Sequence, residues 1–211
     1  MPADRHPAFF DGIPPLVVRD PLAELLGAVP PGASIEYTFA ETVKAAGHVC
    51  PTVAGAWLVT RAALAALYGD AMPVRGDVEV ACMGAPEQFG YGPMAQVIAN
   101  LTGAAPETGF RGLGGRFVRA NLLTFHPESP ALSTFVFRRR DTGAAVRVAY
   151  LPESIPPDPG IRAAMAGAMN GDDAAGREFR RLWLDRVERI LAAPETVVRI
   201  EPAAPPPAAV A

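Results

Sequence analysis

His48 and Cys50 stand two residues apart in Gly47-His48-Val49-Cys50-Pro51, and the sequence holds one further cysteine, Cys82. An imidazole and two thiolates are the ligands that borderline and soft transition metals prefer. Three protein ligands leave one coordination position open, which is what separates a catalytic or carrier site from a closed structural one. Cys50 precedes Pro51, a residue suited to the first position of a helix. Its sulfur is therefore expected beside unpaired N–H groups and the positive end of a helix dipole, where a thiolate is stabilised. That argument serves metal binding and nucleophilic attack equally. Two chemical readings follow, a metal site at His48, Cys50 and Cys82, or a metal-free thiol with Cys50 as nucleophile or sulfur acceptor and Cys82 as its resolving partner. Two buried small hydrophobes and a hydrogen-bonded joint histidine are the plain alternative.

Other residues carry weaker signals. His126 ends a strand before Pro127 and is an outside candidate for a fourth ligand, whereas His6 falls in an N-terminal arm. Gly112-Leu113-Gly114-Gly115 lacks the lysine and the strand–turn–helix context of a phosphate loop and reads as a flexible turn. Glu79 and Glu87 lie near Cys82 in sequence, but solvated carboxylates are the expectation for both. Arg138 to Arg140, beside a hairpin turn, read as a charged sheet edge.

The elements that must position these residues are marked by their own punctuation. Asp20-Pro21 opens a short helix that Gly27 can close. Ile35 to Tyr37 reads as a short strand or a lead-in. Thr38 and Glu41 have capping-box spacing, so a helix is predicted over Phe39 to Ala46 with Gly47 as terminator. A second helix starts at Pro51 and stops at Gly69, which makes residues 47–50 a tight joint between helices. Asp77 to Cys82 alternates as a half-buried strand with Val78, Val80 and Cys82 on one face. A helix over Pro93 to Leu101 follows, closed by Gly103. Arg116 to Phe125 and Ser133 to Arg139 read as strands, and Asp141-Thr142-Gly143 turns the second into Ala145 to Tyr150. Helices near Ile161 to Met169 and Asp173 to Ala193 come next. The apolar stripe of the second, which includes Phe179, Leu182, Trp183 and Val187, is expected to cover the sheet.

Three regions result: an N-terminal arm with a short helix at residues 1–34, an α+β core at 35–200 in which helices pack an antiparallel sheet, and a Pro/Ala tail at 201–211 expected to be disordered. The arm is expected to lack regular structure, and Val197 to Ile200 to add a small edge strand. With 211 residues of which 50% are hydrophobic, the chain is long enough for one sizeable core. A formal net charge of −3 leaves no basic footprint for nucleic acid or an anionic membrane. No signal peptide or membrane span is expected, so the cytoplasm is the expected compartment. Two cysteines do not make a disulfide scaffold.

The joint Gly47-His48-Val49-Cys50-Pro51 resembles the Gly-His-x-Cys-Pro signature of the FmdE family, named for a component of formylmethanofuran dehydrogenase. In chain order, Gln96 with Leu101-Thr102-Gly103 is similar to a family helix that ends in Leu-Thr-Gly. The segment from Thr142 to Val148 is similar to a Thr-Gly-x-Ala-Val-Arg-Val hairpin strand. The resemblance spans roughly residues 35 to 195. It implies an α+β core, a homodimer, and a cavity in which the His and Cys residues hold a transition metal, zinc first, with iron or haem as alternatives. Some members carry a C-terminal zinc ribbon, for which this chain has no cysteines left. Pro93-Met94-Ala95-Gln96 also departs from the family helix, which often has an acidic residue before Ala-Ile-Gln. A carboxylate that could act as ligand or base is thereby missing. The expected function is a metal-binding protein acting as a redox enzyme or a metal or cofactor carrier, with a small-molecule ligand or redox partner. The rivals are the metal-free thiol protein and a non-catalytic assembly component.

Overall fold

The computed structural model describes residues 6–88, 90–128 and 131–204. Its helices begin and end where the side chains can satisfy their free backbone groups. Asp20 caps α1 (Pro21–Leu25) by accepting from the Leu22 and Ala23 N–H groups. Thr38 and Glu41 form the capping box of α2 (Phe39–Ala46), and Gly47 closes it at φ 76°, a conformation in which a Cβ would be strained. The 18-residue α3 (Pro51–Tyr68) starts four residues after Gly47 and forms the buried centre of the molecule.

The N-terminal arm is more regular than its prolines suggest. A 3₁₀ turn covers Ala8–Gly12, and β1 (Leu16–Arg19) pairs antiparallel with β2 (Ser34–Tyr37) across α1. Leu16 and Val18 alternate inward along β1 and are buried. The expectation of an arm without regular structure is thus corrected: its strand partner lies beyond a helix, where a local reading does not look. The arm also packs on its own chain, because Phe10 stacks edge-on against Phe39, and Phe39 against Trp57.

Five strands form the main sheet, in the order β4 (Leu123–Phe125), β3 (Val78–Cys82), β5 (Thr134–Arg139), β6 (Ala145–Tyr150), β7 (Val198–Pro202). The class is α+β, with one parallel pair: β3 and β4 run together, and α4 (Tyr91–Thr102) crosses between them. The strand expected over Arg116 to Phe125 shrinks to three residues, because Phe117 and Asn121 take positive φ and break any extended run. Beyond β6, α5 (Ile161–Met169) and α6 (Asp173–Ala192) form a helical hairpin, and a turn of helix, α7 (Pro194–Val197), leads into β7. Glu201 and Pro202 belong to that strand instead of a tail, and the remainder of the expected tail from residue 205 lies outside the described residues.

One face of the sheet, carrying Val78, Val80, Cys82, Phe135, Phe137 and Val148, joins α3 and α4 in the main core. The other is polar around a small patch of Ala81, Met83 and Val136, with Glu79 paired to Arg138 at 2.8 Å. Among the described residues no helix is long and apolar enough to cross a membrane.

A buried ion-pair tie fastens the β1–β2 unit to the loop at residues 103–122. Asp20, 3% exposed, accepts from Arg75 at 2.8 Å and from the buried Arg119 at 2.7 Å. Arg119 fits because Gly76 and Gly103 carry no Cβ; one at either position would overlap its guanidinium.

Candidate functional site at the joint between two helices

Cys50 takes the cap position of α3 in an extended conformation (φ −155°, ψ 168°), and its Sγ accepts the Val53 N–H at 3.4 Å. The sulfur thus occupies the place of a capping oxygen, where unpaired N–H groups converge. The thiol is free and 9% exposed. The main chain on either side of it is held from elsewhere in the fold. Trp183 of α6 donates its indole N–H to the Val49 carbonyl at 2.8 Å, and Tyr150 of β6 donates its hydroxyl to the Pro51 carbonyl at 2.7 Å. Tyr150 reaches that carbonyl by passing over Gly55, where a Cβ would overlap the ring. Burial is the main cause that raises the Tyr150 phenol above its ordinary value, and the neighbouring Cys50 pushes in the same direction.

His48 lies on the surface, with Nδ1 3.1 Å from the Ala46 carbonyl. Cys82 is fully buried on the inner face of β3, and burial pushes its thiol up to about 12. Cys82 is paired in register with Phe135, which is paired with Val148. Cys82 and Tyr150 therefore lie on strands separated by β5, roughly 10 Å apart across the sheet. Among the described residues no group of three or more His, Cys, Asp or Glu side chains is placed to hold a metal ion. As arranged, the His48 imidazole lies on the surface and the Cys82 thiol in the core, so the two are not presented to one point.

His126 does not join them. Its neighbour Phe125 pairs in register with Cys82, so alternation turns the His126 side chain to the opposite face of the sheet. There its Nε2 lies 2.8 Å from the Thr124 hydroxyl and its Nδ1 3.0 Å from the Glu128 carboxylate. Gly112 to Gly115 form a turn closed between Leu113 and Arg116, away from any helix start. Glu79 is tied to Arg138, and Glu87 is exposed.

Sequence reasoning did not find Tyr150 and Trp183. Trp183 reads as one more residue of the α6 stripe, and Tyr150 as the end of a strand. The usable signal was Gly55, since a glycine inside an otherwise strong helix implies that another group approaches its backbone closely.

No protein-family model matches the chain, and no curated protein matches it. Among solved structures it is similar to the crystal structure of a tungsten formylmethanofuran dehydrogenase FmdE-like protein from Syntrophus aciditrophicus, at 17% identity over 81% of this chain and 74% of that one, with a TM-score of 0.43.

Proposed function

We propose that the protein works through the Cys50 thiol as a metal-free nucleophile or sulfur acceptor. The observation that carries this reading is the immobilised cap: the sulfur receives a helix N–H while the carbonyls flanking it are held by Trp183 and Tyr150. A nucleophile gains from being held in one geometry, and the Val53 N–H fixes the sulfur at the start of α3. With a persulfide donor, the Cys50 thiolate attacks the outer sulfur, the donor leaves as its thiolate, and Cys50 carries the persulfide. Cys82 is a poor resolving partner, because its burial keeps it protonated.

Cys50 should alkylate with iodoacetamide near neutral pH at least about tenfold faster than Cys82, whose high value and burial both oppose reaction. Mass-spectrometric labelling over a pH series checks this; equal rates, or a faster Cys82, would remove the proposal. The alternative is zinc, iron or haem held by His48, Cys50 and Cys82. It requires His48 to turn inward and Cys82 to ionise in the core. Elemental analysis and an absorption spectrum of protein purified without a polyhistidine tag separate the two, since near-stoichiometric metal lost in Cys50→Ser and Cys82→Ser favours the metal reading. A homodimer belongs to that same resemblance, and light scattering at micromolar concentration tests it.

A further inference from the structure

A cleft of about 640 Å³ opens between the segment Phe9–Pro14, α3 and α6, on a part of the molecule that the Cys50 chemistry does not use. Its volume falls within the range of small-molecule sites. Phe9, Ile13, Leu58 and Leu191 give it apolar walls. Arg61 and Glu188 are the charged residues that line it.

Arg61 is held in place from two sides: its Nη1 donates to the Pro14 carbonyl at 2.7 Å, and its guanidinium lies 5.8 Å from the centre of the Trp57 ring. None of the ion pairs among the described residues includes it. A half-buried guanidinium whose described contacts are a main-chain carbonyl and an aromatic ring keeps both its charge and its remaining donors for an anion. Burial indeed lowers the Arg61 value from its ordinary one. Among the described residues no carboxylate lies within ion-pair distance of Arg61, so the guanidinium suits an anionic group and the apolar walls suit an aliphatic remainder.

We propose that this cleft binds a small monocarboxylate with an aliphatic body, the carboxylate on Arg61 and the chain against Leu58, Ile13 and Leu191. Arginine suits the role because its fork of donors matches a carboxylate, and the donors not used on Pro14 remain for the ligand. Glu188, exposed on α6 and lining the same cleft, repels a second negative charge. The site therefore selects monoanions over dianions.

Isothermal titration of the whole chain with sodium octanoate tests this. Octanoate is expected to bind with a dissociation constant of about 1 mM or tighter. Octanamide, with the same chain and no charge, and suberate, with a carboxylate at each end, should each bind at least about tenfold more weakly. Arg61→Gln should weaken octanoate by a similar factor, Ala62→Phe should fill the cleft and block it, and Glu188→Gln should narrow the gap between octanoate and suberate. The comparison of octanoate with octanamide uses the unaltered protein, so it stands even if a variant fails to fold. Absence of octanoate binding, equal affinity for octanamide, or undiminished octanoate binding by Arg61→Gln or Ala62→Phe overturns the proposal.

Discussion

Cys50 is held in its cap position by its neighbours, and the Tyr150 hydroxyl is the contact most open to a clean test. Tyr150→Phe keeps the ring over Gly55 and removes only the bond to the Pro51 carbonyl, which costs about 1 kcal/mol of stability. Because that bond holds the first residue of α3, the Cys50 alkylation rate should change while that of Cys82 does not, and quantitative labelling of both thiols reads the difference. At this scale the sequence was legible for Cys50, whose position before Pro51 announces a helix start. It was not legible for His48. Two-residue spacing permits an imidazole to share a site with Cys50, yet Gly47 at positive φ and the Ala46 carbonyl turn the ring outward. Nor does a sequence disclose the pair of donors on Val49 and Pro51, since Trp183 and Tyr150 lie 134 and 99 positions from the carbonyls that they hold.

Helix α3 is where local signals and tertiary demands are least in agreement. Alanine suits a helix interior better than glycine by about 1 kcal/mol. At residue 55, however, the added methyl overlaps the buried Tyr150 ring, and overpacking of that kind costs about 1 to 3 kcal/mol. Gly55→Ala is therefore expected to be neutral to destabilising, despite its better propensity, and to disturb Cys50 labelling as Tyr150→Phe does; denaturant unfolding together with thiol labelling measures both. The caps of α1, α2 and α3 were readable because each is written within a span of at most four residues. Strand β1 was not, because its partner lies across α1, and the long run before Phe125 misled because its β-branched and aromatic residues do not reveal the left-handed turns at Phe117 and Asn121. The parallel placement of β4 was equally hidden: a crossover helix shows itself in the order of elements, but strand direction depends on which edge the returning chain reaches.

Across the whole molecule, Asp20 joins parts of the chain that are 99 residues apart. Burial alone would raise its carboxyl, but the hydrogen bond from Arg75, the charge of Arg119 and the Ala23 N–H outweigh it and hold the group below its ordinary value of 3.8. A carboxylate lowered in the folded state contributes stability at pH values above its unfolded value and loses that contribution as pH falls through the lowered one. Stability should therefore decline below about pH 4, and Asp20→Asn should flatten that decline. At neutral pH, Asp20→Ala should cost about 3 to 5 kcal/mol, because it strands the buried Arg119 charge. Thermal unfolding of both variants across pH 3 to 7 checks the pair of expectations. Neither arginine could be assigned to Asp20 from sequence, since the cap role of Asp20 is complete without them.

The same tie sets the order in which the molecule comes apart. Residues 103–122 form no regular helix or strand and close on themselves through main-chain bonds, among them Ala105 to the Arg119 carbonyl, Asn121 to that of Pro106 and Arg119 to that of Phe110, and they reach the sheet where the Val80 N–H meets the Leu122 carbonyl at 2.7 Å. Such a segment is a cooperative unit whose opening requires less free energy than global unfolding. Protonation of Asp20 loosens its main anchor while the helices still stand. The first species formed in mild acid is then a native-like chain in which the short edge strand β4 has lost the segment that leads into it, a sheet edge able to pair with another molecule. Loss of solubility in acid would thus begin by edge-to-edge association, ahead of any loss of helix content.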